Sequence, residues 1–170
     1  LPLLAIAALC LAAPPAALAQ DKPLASTRAA QPRGVYATIN LRPADEMIRR
    51  LDAAYGSDKR AAIKEVRENP AAVPPPVLYA LANTLAEDHA EEAIFWYHVG
   101  RLRAVYDALR CRDESARTAA LLELRTLMNL ELRRAQFYRR ERLVGIAQKA
   151  IDWDAQNPRN YDQRWIALYG

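Results

Sequence analysis

Glycine is scarce in this chain, with five residues in 170 against eleven prolines. So few glycines, and no alternating Val/Ile/Thr stretches, exclude the turn-rich hairpins of a β-sandwich or barrel. Cysteine is scarcer still: Cys10 and Cys111 are the only two, and no CxxC pair exists, so a structural zinc site lacks its ligand set. There are two histidines, His89 and His98. They stand nine apart, whereas two metal ligands on one helix face need i, i+4 spacing. The HAEEA stretch at 89–93 therefore lacks the second histidine of a zinc-protease helix. Neither a G-x-S-x-G elbow nor a phosphate-binding G-x-x-x-x-G-K loop occurs. No catalytic residue, cofactor or metal is expected from this inventory.

Long apolar runs are also missing, with one exception. Leu1 to Ala13 carries no charge, Pro14 and Pro15 break it, and Ala17-Leu18-Ala19 supplies the small-x-small pattern of a signal-peptidase site. The run is short for a bilayer span. Residues 1–19 are therefore expected to be a removed signal peptide, with Gln20 as the new N-terminus and the periplasm as the compartment. The absence of an initiator Met and a basic n-region implies that the sequence begins inside a precursor. A lipid anchor at Cys10 is the rival reading, but Leu9 stands where a lipobox wants Gly, Ala or Ser. An uncleaved anchor helix is the other. Removing 19 of 170 residues leaves 151 and a single thiol, Cys111, so no internal disulfide can form and a hydrophobic core must hold the domain.

What is present is apolar mass and arginine. The apolar fraction is 52%, charged residues make up 26%, and mean hydropathy is −0.22, which excludes both a polytopic membrane protein and a wholly disordered chain. The net charge of +4 rests on 20 Arg and only 4 Lys. Residues 20–42 read as an irregular lead-in, with Pro23, Pro32 and Gly34 as breakers and a short extended stretch at 35–41. Residues 43–170 read as a single all-helical domain with a docked C-terminal tail.

Helical spacing organises that domain into an all-α bundle of about six helices, arranged as consecutive antiparallel hairpins with no sheet. Met47, Ile48, Leu51 and Tyr55 mark the first helix, with Pro43 in its first turn and Gly56 just past its end. Ser57 opens a second, which carries Ala62, Ile63 and Val66 and stops at Asn69-Pro70. A third spans about 76–87. Asp88 and Glu91 resemble a capping box for the fourth, whose stripe is Ala93, Trp96, Tyr97, Gly100 and Ala104. Gly100 inside a helix suggests close approach of a neighbour. A fifth helix is expected over 113–137 and a sixth over 139–156. The apolar tail, with Tyr161, Trp165, Ile166, Leu168 and Tyr169, should dock.

The segment Leu78 to Ala104, LYALANTLAEDHAEEAIFWYHVGRLRA, resembles a Sel1-like or tetratricopeptide helical hairpin. Ala82 supplies the small residue of its first helix, and Glu92, Ala93, Trp96 and Tyr97 follow the pattern of its second. Glu87-Asp88-His89 replaces the loop glycines of that family. The resemblance covers 27 of 170 residues and has no second copy at a fixed period. It implies a protein-binding scaffold without catalysis.

The candidate site is the densest basic cluster: Arg133, Arg134, Arg139, Arg140 and Arg142, interleaved with Phe137 and Tyr138. Basic plus aromatic residues suit single-stranded nucleic acid, but Glu131 and Glu141 sit inside the cluster and export removes the substrate, so nucleic acid is not the expected partner. Guanidinium forks onto carboxylates point instead to an acidic protein surface. Elsewhere, Cys111 lies between Arg110 and Arg112. It stands thirteen residues from His98, roughly 20 Å along a helix, too far for a nucleophile–base pair. Asp152 and Asp154 near a helix C-terminus require a salt bridge, with Arg159 or Arg164 as the candidates. The function expected is an exported, periplasmic helical interaction module without catalysis, an immunity or inhibitor protein against a toxic secreted effector being its specific form. An envelope enzyme and a structural or lipid-contacting envelope protein are the alternatives.

Overall fold

A computed structural model describes residues 32–170. The expected signal peptide, its cleavage site and Cys10 lie outside the described residues. Within them the chain is all-α, without a strand: seven α-helices and three short 3-10 turns.

The stretch at 35–41 does not run extended as expected. Gly34–Thr38 forms a 3-10 turn, entered through Gly34 at a φ of 58°, a left-handed value that favours glycine. The first helix, α1 (Arg42–Leu51), has Pro43 in its first turn and buries Ala44, Met47, Ile48 and Leu51. It stops before Tyr55, which is exposed. A bend over 52–56 ends at Gly56, whose φ of 123° and ψ of 176° are open essentially only to glycine. Gly56 thus opens α2 (Ser57–Glu68) instead of closing α1.

The core hairpin is α3 (Pro75–Leu85) against α4 (Ala90–Arg110). Pro75 and Pro76 sit in the first turn of α3, where a missing N–H costs nothing. The residues from Pro75 to Ala82 are all buried. A Cβ on Gly100 would come within 3.1 Å of the Leu78 Cβ and of the Tyr79 ring, so the glycine does set the approach of the two helices. His89, not Asp88, occupies the N-cap of α4 and makes no side-chain cap. The acids of the first turn are used across the surface: Glu92 accepts from Arg67 Nε and Nη2 at 2.7 and 2.6 Å and from Trp96 Nε1 at 3.1 Å.

The long helix expected over 113–137 is two. Asp113 caps α5 (Glu114–Thr126), accepting from the backbone of Ser115 and Ala116, and Asn129 caps α6 (Leu130–Tyr138), accepting from Leu132. Asn83 of α3 holds the break open. Its Nδ2 donates to the Leu127 carbonyl at 2.7 Å, its Oδ1 accepts from Asn129 N at 3.1 Å, and its carbonyl accepts from Asn129 Nδ2 at 3.2 Å. The last helix, α7 (Leu143–Gln156), begins later than expected because Arg140–Arg142 forms a 3-10 turn.

Helices α5, α6 and α7 each pack on α4 more than on one another. Helix α7 runs parallel to it. Ile94 clusters with Ile146, the Trp96 ring lies 5.5 Å from that of Trp153, and Arg103 reaches Asp154. Trp96 therefore meets α7, while Tyr97 meets Tyr79 of α3 at 5.3 Å between ring centroids. Alanines 104, 108, 116 and 120 line the α4–α5 contact together with Trp165 and Ile166 of the tail. That tail ends in the 3-10 segment Gln163–Tyr169, with Trp165, Ile166, Leu168 and Tyr169 buried.

Candidate functional site

The joint between α6 and α7 carries the basic cluster. Arg133 and Arg134 lie on α6, Arg139 follows its last residue, and Arg140 and Arg142 bound the 3-10 turn that leads into α7. All five are exposed. Two are answered by acids: Arg134 Nη1 donates to Glu131 at 2.7 Å, and Arg142 Nη1 to Glu91 at the start of α4. Arg133, Arg139 and Arg140 form no ion pair among the described residues. Phe137 is 73% exposed and Val144, on the first turn of α7, 81%. Tyr138 closes α6, and its side chain lies outside what the structure describes. The geometry thus sets unpaired guanidinium groups beside apolar side chains on a surface joint, an arrangement suited to a carboxylate-bearing partner.

Sequence reasoning missed a second concentration of charge, which is buried. Arg103 of α4 is entirely inaccessible. Its Nε donates to Asp154 Oδ1 at 2.6 Å, Nη1 to the Pro70 carbonyl at 2.9 Å and Nη2 to the Asn157 carbonyl at 3.2 Å, while its guanidinium lies 5.2 Å from the Trp153 ring centroid. Asp154 also accepts from Arg159. Arg159 is thus the compensating partner expected for Asp154, whereas Arg164 pairs with Asp162 and Asp152 accepts from Gln148. One helical turn beyond Arg103, buried Asp107 accepts from Tyr161 Oη at 2.9 Å and Trp165 Nε1 at 2.8 Å through the same oxygen. Its Oδ1 has no hydrogen-bond partner among the described residues. Burial pushes the Asp107 carboxyl above the ordinary aspartate range, against the pull of its two donors and of Arg159 and Arg110. Burial and the neighbouring Asp107 together push the Tyr161 phenol up as well. These groups pin the tail and the α2–α3 connection to α4. An open polar groove of about 440 Å³ lies over this centre, lined by residues 154–159 and Gln163.

His98 stands half-buried on α4, and burial lowers its pKa. Cys111 follows the last residue of α4, and its thiol donates weakly to the Asp113 carbonyl at 3.7 Å. Among the described residues no group of three or more His, Cys, Asp or Glu side chains is placed to hold a metal, and no helix is long and apolar enough to cross a membrane. Comparison with protein-family models, with curated proteins and with solved structures finds no match.

Proposed function

We propose that this chain is an exported helical interaction module that acts in the periplasm by binding a protein with an acidic surface, without catalysis of its own. An immunity or inhibitor role against a toxic secreted effector is the specific form of this reading. The observation that carries it is the α6–α7 joint: three guanidinium groups that form no ion pair among the described residues, next to an exposed Phe and an exposed Val. Arginine is weakly hydrated and forks onto carboxylates, so its desolvation at an interface is cheaper than that of lysine. The Sel1-like or tetratricopeptide resemblance of 78–104 supports the same reading, because such hairpins serve as binding scaffolds. Compartment rests on the apolar leader and the small-x-small site before Gln20.

A photo-crosslinking residue at position 137, expressed in the native periplasm, tests the reading. A discrete protein adduct is expected at 137 and not at 55, where Tyr55 is even more exposed on the α1–α2 connection. Equal, diffuse labelling at both positions, or none, contradicts it, as would recovery of the protein from the cytoplasm alone.

A further inference from the structure

One face of α4 loses its cover halfway along. Ile94 clusters there with Ala135 of α6 and Ile146 of α7, and the Phe95 ring lies 5.9 Å from that of Trp153. Leu102, Val105 and Tyr106 stand seven to eleven residues further on, which returns them to the same face. With Leu109 they form an i, i+3, i+4, i+7 series, the spacing of a core stripe. Yet none of the four is buried: Leu109 is 73% exposed, and Leu102, Val105 and Tyr106 are 36%, 37% and 41% exposed.

Charge borders the stripe on both sides. Arg101 lies along one edge and Arg110 along the other, and neither forms an ion pair among the described residues. The Arg110 guanidinium instead donates to Gln163 Oε1 at 2.5 Å and sits 5.5 Å from the Tyr106 ring centroid, with Arg159 on the same ring at 4.2 Å. The only acid on this half of α4, Asp107, is buried. The face is therefore apolar along its middle and positive at its margins.

We infer that the C-terminal half of α4 is a docking face for an amphipathic helix of another protein, one that carries an apolar seam and Asp or Glu on both flanks. The inference rests on the reading of the chain as an interaction module but not on the α6–α7 arginines. A second copy of this chain fits poorly, because a self-pair through this face would oppose arginine to arginine at the margins. An acidic helix meets both requirements at once: it covers the stripe and supplies the carboxylates.

The test uses the full chain and two synthetic helical peptides with the same leucine seam, one flanked by Glu and the other by Lys. Fluorescence anisotropy is expected to show binding of the Glu peptide, weakened at least about tenfold by Lys flanks and by high salt. Leu109→Glu should weaken it to a similar extent with helicity unchanged. Arg101→Glu, at an exposed position, gives the same readout should L109E fail to fold. R139E/R140E should leave the peptide affinity untouched, which separates this face from the α6–α7 joint. Four results would overturn the inference: equal binding of the Lys peptide, no effect of R101E, self-association of the wild type that L109E dissolves, or binding to anionic vesicles in place of the Glu peptide.

Discussion

Arg103 and Asp107 hold the least expected places in the molecule. The inner stripe of α4 was legible from Trp96, Gly100 and Ala104, and steps of three and four along that stripe reach both charged residues. Sequence reasoning passed over both, because the groups that answer them come from far along the chain: the Pro70 carbonyl, Asp154, Tyr161 and Trp165. Two predictions belong here. Arg103→Met leaves a buried carboxylate and two carbonyls short of a donor, and should cost about 3–5 kcal/mol in urea unfolding. The double variant R103M/D154L should be more stable than D154L alone, which strands the buried Arg103 guanidinium, although both leave Arg159 without its carboxylate. A double variant no more stable than D154L would show that loss of Asp154 does not strand Arg103. The second concerns pH. Because burial raises the Asp107 pKa, the folded state holds that proton more tightly than the unfolded chain does. Its contribution is present below the ordinary aspartate pKa of about 4 and is lost as pH rises through the higher folded value. The melting-temperature difference between wild type and Asp107→Asn should accordingly shift against the wild type from pH 4 to pH 7. A difference independent of pH would mean that Asp107 titrates alike in both states.

At the scale of elements, hydrophobic spacing and proline placement located α1 through α4 to within a few residues. Spacing failed at 127–129, where Leu127 and Met128 keep the apolar rhythm running. The break there is made by Asn83, 44 residues away from Leu127, through hydrogen bonds that no local pattern encodes. The end of α1 was misplaced for a related reason: Tyr55 falls in phase with Leu51, but Gly56 in an extended positive-φ conformation serves the entry to α2. Gly100 is the element-scale test of the α3–α4 contact. Alanine there gains about 1 kcal/mol of helix propensity, yet its methyl must displace Leu78 Cβ and the Tyr79 ring from 3.1 Å. Overpacking of that kind costs about 1–3 kcal/mol. Gly100→Ala should thus lower the melting temperature, whereas a rise would show that α3 yields freely.

Across the whole molecule, α4 is the spine on which α3, α5, α6, α7 and the tail converge. An all-α bundle was readable from composition and period. The parallel course of α7 along α4 was not, because the chain reaches it through two short elements whose packing is set by contacts with α4. The cluster of Arg133, Arg134, Arg139, Arg140 and Arg142 was visible in the sequence. The reach of Arg142 across to Glu91 was not, and together with the Arg134–Glu131 pair it leaves three arginines, not five, to face a partner. The measurement that bears most directly on the proposed role is the affinity of the protein crosslinked at position 137 for wild type and for R139E/R140E, taken at low and at physiological salt. An interaction module that uses this joint predicts wild-type binding that weakens with salt, and a loss of about tenfold or more at low salt in the charge-reversed variant with its helicity intact. Equal affinity of the two proteins at low salt would contradict it and leave the α6–α7 joint a solvated face.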